Sequence, residues 1–144
     1  MITLADYWMG RDASHGLQLG TDLRANAQRT VSIVNALLVL AKGAGVTLEE
    51  SPRTGSIVTS GWRPADINNA TPGAAVRSKH ITCQAIDLFD PDGDLDDWLL
   101  AEAESPDGGV LGDLGLWLEH PAATKGWAHV QIVPPGSRRR VFYP

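Results

Sequence analysis

Ser78-Lys79-His80-Ile81-Thr82-Cys83-Gln84-Ala85-Ile86-Asp87-Leu88-Phe89 sets an imidazole and a carboxylate seven residues apart, the carboxylate inside an apolar run. His80–Phe89 reads as a strand, and Asp87 is its anomaly, because a buried carboxylate without a partner is costly. A metal ion or a basic side chain has to compensate it. Downstream, Trp127–Val133 alternates, so His129 projects with Trp127 and Gln131 while Ala128, Val130 and Ile132 take the other face. Outward from these two runs, the β-branched Ser56–Ser60 predicts a strand that ends at Gly61 and Pro64. Leu114–Leu118 and Arg140–Tyr143 predict two more, the last after the turn Pro134-Pro135-Gly136.

The remaining segments predict helix and loop. Leu23, Ala27, Val31, Val34, Leu38 and Ala41 fall on one stripe, which predicts a helix over 22–42, capped by Thr21 or Asp22 and closed by Gly43 and Gly45. A shorter helix is expected from a capping Asp94 through Leu95, Trp98, Leu99 and Ala103. Residues 64–79 read as a long loop, and residues 1–20 as an irregular arm. Strands that do not alternate regularly with helices predict an α+β single domain over 1–144, with a small, mainly antiparallel sheet.

The chain has 144 residues, 43% of them apolar, which suffices for one core without disulfide staples. Twelve Lys and Arg against 17 Asp and Glu give a net charge of −5, the wrong balance for a protein whose task is to grip nucleic acid. Only Arg138, Arg139 and Arg140 cluster, and a solvated turn explains them as well as an anionic polymer does. No apolar run is long enough to span a membrane, and the opening residues lack the pattern of a secretory signal, so a protein made in the cytoplasm is expected. The single cysteine, Cys83, excludes an internal disulfide and any site built from several thiolates.

A metal here must therefore sit on His and carboxylate. Catalytic zinc uses three such ligands and leaves a fourth position to water, an arithmetic that His80, Asp87 and His129 satisfy. Each histidine alone has a plainer explanation as a hydrogen-bonded core or surface residue. Asp90, Asp92, Asp94, Asp96 and Asp97 imitate a calcium loop but lack its glutamate, so turn formation and helix capping explain them better.

The ordered set Ser60-Gly61-Trp62-Arg63, Asn68, Gly73-Ala74, Ser78-x-His80-x-x-Cys83-x-Ala85-x-Asp87 and Trp127-x-His129 resembles the M15 family of zinc peptidases. That family includes D-alanyl-D-alanine carboxypeptidases and phage endolysins that cut peptidoglycan stem peptides. The arm Asp6-Tyr7-Trp8-Met9-Gly10-Arg11-Asp12 and the C-terminal segment from Pro134 look like a phage or prophage branch. The resemblance implies a hedgehog-like peptidase fold and one zinc ion on His80, Asp87 and His129. It implies that Arg63 steadies the substrate carbonyl as it becomes an oxyanion, the alternative being a structural pair with Asp66. Ser78 would contact substrate, often its terminal carboxylate, or else satisfy a local turn. Trp62 and Trp127 flank the expected site and are candidates for substrate packing. The implied partner is the stem peptide, reached after lysis, through a holin or from a virion, with other phage-particle proteins as further partners.

Two departures stand out. Cys83 replaces the family's usual glycine, either as packing or as a thiol close to zinc. Gly126 stands where these peptidases commonly place a glutamate that takes a proton from the nucleophilic water. Glu119 is the first replacement candidate, His120 the second and Lys125 the third, while an exposed strand-end charge is the plain alternative for Glu119. Gly126 also favours a competing expectation, a non-catalytic phage-particle or wall-binding module that keeps the fold.

Overall fold

The computed structural model describes all residues, 1–144. The chain forms a small α+β domain with the elements α1 (Leu4–Trp8), α2 (Arg11–Ser14), α3 (Thr21–Gly43), β1 (Val58–Ser60), α4 (Ala65–Ala70), β2 (Ala85–Asp90), α5 (Asp94–Glu104), α6 (Gly109–Leu114), β3 (Trp117–Glu119), β4 (Gly126–Gln131) and β5 (Val141–Phe142). The five strands run in the order β1-β2-β4-β3-β5. Every pairing is antiparallel except β3 with β5, which is parallel.

The sheet has one dry face. In β2 and β4, Ile86, Leu88, Ala128 and Val130 are fully buried and join a single core with Val31, Val34, Leu37 and Leu38 of α3 and Leu95 and Leu99 of α5. The period-two alternation therefore sends Asp87, Trp127, His129 and Gln131 to the opposite face, where they line a cleft. No helix is long and apolar enough to cross a membrane.

Several boundaries differ from the sequence reading for local reasons. The 22–42 prediction is met by α3, although Gly20 stands at its N-cap and gives no side-chain bond. Residues 1–20 are not irregular. Thr3 and Asp6 form a reciprocal capping box that starts α1, and Tyr7 and Trp8 are buried in the core. The loop expected over 64–79 contains α4, which begins directly after Pro64. A strand was expected from His80, but Cys83 at φ 58 turns the chain and delays β2 to Ala85. Gly109–Leu114 is a helix, which moves the next strand to Trp117.

The acidic run caps a helix. From the end of β2, Asp90 accepts the Leu95 and Asp96 amides at 3.1 and 2.9 Å, so Asp90 caps α5 rather than Asp94. Asp96 itself is buried, and its Oδ1 has no hydrogen-bond partner. Burial, followed by the like charges of Asp90 and Asp97, pushes its carboxyl up to about 7, against a weaker opposing influence of the nearby Thr124 hydroxyl. The folded protein thus keeps a proton that the unfolded chain releases near ~4, so this group makes stability fall as pH rises from about 4 to 7. We expect Asp96→Asn to be more stable than wild type in urea unfolding at pH 8 and indistinguishable from it at pH 4. Equal stability at both pH values would show that the carboxylate is not strained.

Candidate metal centre

Strand register builds the site. Asp87 on β2 lies directly opposite His129 on β4 and beside Ser60 on β1. His80 arrives from the turn before β2. Its Nε2 lies 3.2 Å from Asp87 Oδ1, and His129 Nδ1 lies 2.7 Å from the same oxygen. All three residues are buried, and their ligand atoms lie within 4.8 Å of one another. This cluster can hold a divalent metal ion.

The surrounding bonds fit that use. His80 Nδ1 donates to the Gly61 carbonyl at 2.7 Å, which leaves Nε2 as the lone-pair nitrogen facing the site. Burial disfavours charge at all three residues. At Asp87 it is outweighed by the nearby imidazoles, His80 first and then His129, whose Nδ1 donates to Oδ1, so the carboxyl stays far below its usual range. At His80 burial wins and the pKa is lowered. At His129 the hydrogen bond and charge of Asp87, with Glu119 behind them, raise it. A metal ion requires the carboxylate ionised and both imidazoles neutral, so His80 and Asp87 are already in the state it needs, and binding displaces the proton that Asp87 and Glu119 favour on His129. Three donors leave a tetrahedral ion one open position.

Arg63 stands beside them. Its Nη2 is 3.7 Å from Asp87 Oδ2, while Asp66 pairs with His15 at 2.9 Å instead. Burial lowers the Arg63 pKa, partly offset by Asp87 and Glu119. Glu119 follows Trp117 and Leu118, which pair with Gln131 and Val130, so the register carries it toward His129. Its Oε2 is 3.9 Å from His129 Nε2, and burial followed by the charge of Asp87 raises its pKa against His129 and Arg63. It lines a cleft of about 830 Å³ together with Arg63, Ser78, Trp127 and the three metal-ligand candidates.

Other sequence candidates are not brought to this cluster. His120 accepts the Ala122 amide and stacks on Tyr143, and Lys125 lines a separate groove beside Asp96. Trp62 is 1% exposed and packs edge-on against Trp8, so it belongs to the core rather than to the cleft wall. Ser78 lines the cleft while its Oγ accepts the His80 amide at 3.3 Å. Cys83 is absent from the metal cluster. Burial pushes its thiol up to about 12, and its backbone takes the left-handed conformation that a glycine adopts at no steric cost.

Sequence reasoning missed the support beneath His80. The Tyr7 carbonyl accepts the Trp62 amide, Met9 Sδ accepts the Gly61 amide, and the Tyr7 hydroxyl donates to the Ala85 carbonyl. The arm thereby fixes Gly61, whose carbonyl orients His80. A Cβ on Gly61 would stand 2.0 Å from the Tyr7 carbonyl oxygen. From α3, Thr30 and Asn26 hold the carbonyls of Cys83 and Thr82. No family model matches this chain, and no curated protein or solved structure matches it.

Two outcomes follow from this geometry. Gly61→Ala should lower unfolding stability by about 1–3 kcal/mol through forced separation of arm and strand, read as a shifted urea midpoint; an unshifted midpoint would show that the arm does not dock there. Cys83 should resist a thiol reagent at pH 8 in the folded protein and react fully in denaturant. Rapid labelling of the folded protein would place the thiol outside the core.

Proposed function

We propose that this chain is a zinc-dependent peptidase that hydrolyses an amide bond in peptidoglycan stem peptides, in the setting of phage-encoded cell-wall lysis. The observation that carries the reading is the convergence of His80, Asp87 and His129 in a cleft that also holds Arg63 and Glu119. The motif resemblance supplies the substrate class and the phage setting.

The donor set of two imidazoles and one carboxylate suits zinc. When bound, the ion lowers the pKa of water toward ~7 and polarises a carbonyl. The remaining work falls to the chain. Glu119, with a raised pKa and a place beside His129, accepts a proton from the attacking water and returns it to the departing amine. Arg63 holds a positive charge at the buried side of the site, where it stabilises the oxygen that becomes negative as water adds. Ser78 and Trp127 line the same cleft and orient the peptide. Glu119 thus fills the role left open by Gly126, which is exposed at the start of β4 with φ 92.

Purified protein should contain about one zinc ion and release amino termini from peptidoglycan. Glu119→Gln should keep the zinc and lose about 10²–10⁴-fold in kcat, whereas His129→Ala should lose both zinc and activity. Zinc without release from any wall preparation would favour the binding or assembly module, and the absence of zinc would overturn the metal centre.

A further inference from the structure

The cleft is basic although the chain is acidic. Five of the chain's 12 Lys and Arg line it, namely Arg11, Arg53, Arg63, Arg77 and Lys79, against only Asp87 and Glu119 of its 17 acidic residues. Such an uneven distribution focuses positive potential on one opening.

Three of these cations are set close together by the fold. Arg11, at the start of α2, donates through Nη1 to the Trp62 carbonyl. Arg53 donates through Nη2 to the Thr59 carbonyl at 3.0 Å. The two guanidinium groups therefore bracket the segment from Thr59 to Trp62, and Arg63 follows it. Neither Arg11 nor Arg53 has a carboxylate partner in the protein, and the buried Nε of Arg63 has no hydrogen-bond partner at all. The cluster is self-repelling. Burial, followed by the like charges of Arg63 and Arg53, lowers the Arg11 pKa.

Each tether uses one donor on a guanidinium that carries five, so both forks retain donors for a planar anion. We propose that Arg11 and Arg53 form an anion subsite that binds a free carboxylate of the peptide substrate, separate from any group held at Ser78. The subsite rests on the peptidase reading for its ligand class, and it makes the enzyme selective for stem peptides whose γ-linked glutamate carries a free α-carboxylate over those in which it is an amide. Arg63 stays with the reacting carbonyl. An incoming carboxylate relieves the repulsion among the three cations, and a carboxamide does not.

The test uses a pair of pentapeptides, L-Ala-γ-D-Glu-L-Lys-D-Ala-D-Ala and its D-isoglutamine counterpart, with wild type, Arg53→Gln and the Arg11→Gln/Arg53→Gln double variant. Arg53 is exposed, so its single variant keeps the test readable even if loss of the Arg11 tether weakens the fold. We expect wild type to show at least a tenfold lower KM for the acid than for the amide at similar kcat. Arg53→Gln should narrow that ratio, and the double variant should abolish it with kcat retained. Equal KM values in wild type, or a preference that survives the double variant, would overturn the subsite while leaving the peptidase standing. If neither peptide is cut, release of amino termini from peptidoglycan decides the peptidase reading, and calorimetric titration of the same proteins decides the subsite alone. Tighter binding of the acid that disappears in the variants upholds it, and equal or absent binding of both peptides overturns it.

Discussion

Asp87 is the constraint around which the rest of the domain is arranged. Its carboxylate lies on the central strand pair, in contact with His80 and His129 and within 3.7 Å of Arg63. In a low-dielectric interior an ionised group survives only when opposite charge and hydrogen bonds replace the water it has lost. Three segments supply that replacement: the turn before β2 with His80, the stretch after β1 with Arg63, and strand β4 with His129. The sheet is irregular at the β1 edge, where the register with β2 shifts between Val58 and Ser60, and the Trp62–Arg63 segment follows directly.

Support for the centre comes from both ends of the domain. The arm holds Gly61 through Tyr7 and Met9, and Gly61 in turn fixes the ring of His80. On the other side α3 grips the turn over 82–83, where Cys83 accepts a left-handed backbone conformation that a glycine would adopt at no steric cost. Metal-ligand orientation here is thus a property of packing as much as of the ligands themselves. The proposed chemistry uses the same economy, because Glu119 reaches His129 across a strand pair instead of from the same strand.

Much of this was legible in the residues. The alternation over Trp127–Val133 separated a core face from a cleft face, and the structure divides those side chains in the same way. The stripe in α3 and the anomaly of a carboxylate within Ala85–Phe89 were equally plain, since burial enforces period and makes a lone charge conspicuous. Less legible were short elements governed by single residues. The capping box at Thr3 and Asp6 was overlooked inside a segment without sustained period, and the turn at Cys83 was hidden because cysteine gives no sign of a positive φ. Trp62 stood next to Arg63 in sequence, yet opposite directions of adjacent side chains put one in the core and the other at the cleft.

The sequence by itself determined the class of the domain, the central helix, the two long strands and the candidate ligands His80, Asp87 and His129, because these depend on periodicity and on the chemistry of residue types. Tertiary structure alone decided which neighbours those residues have. It set Glu119, and not His120 or Lys125, beside His129 through the register of β3 on β4, turned the arm into the support of His80, and gathered Arg11, Arg53 and Arg63 along one wall. Such contacts join residues tens of positions apart, and no local pattern encodes them, since they arise only when the core closes and fixes the distance between segments.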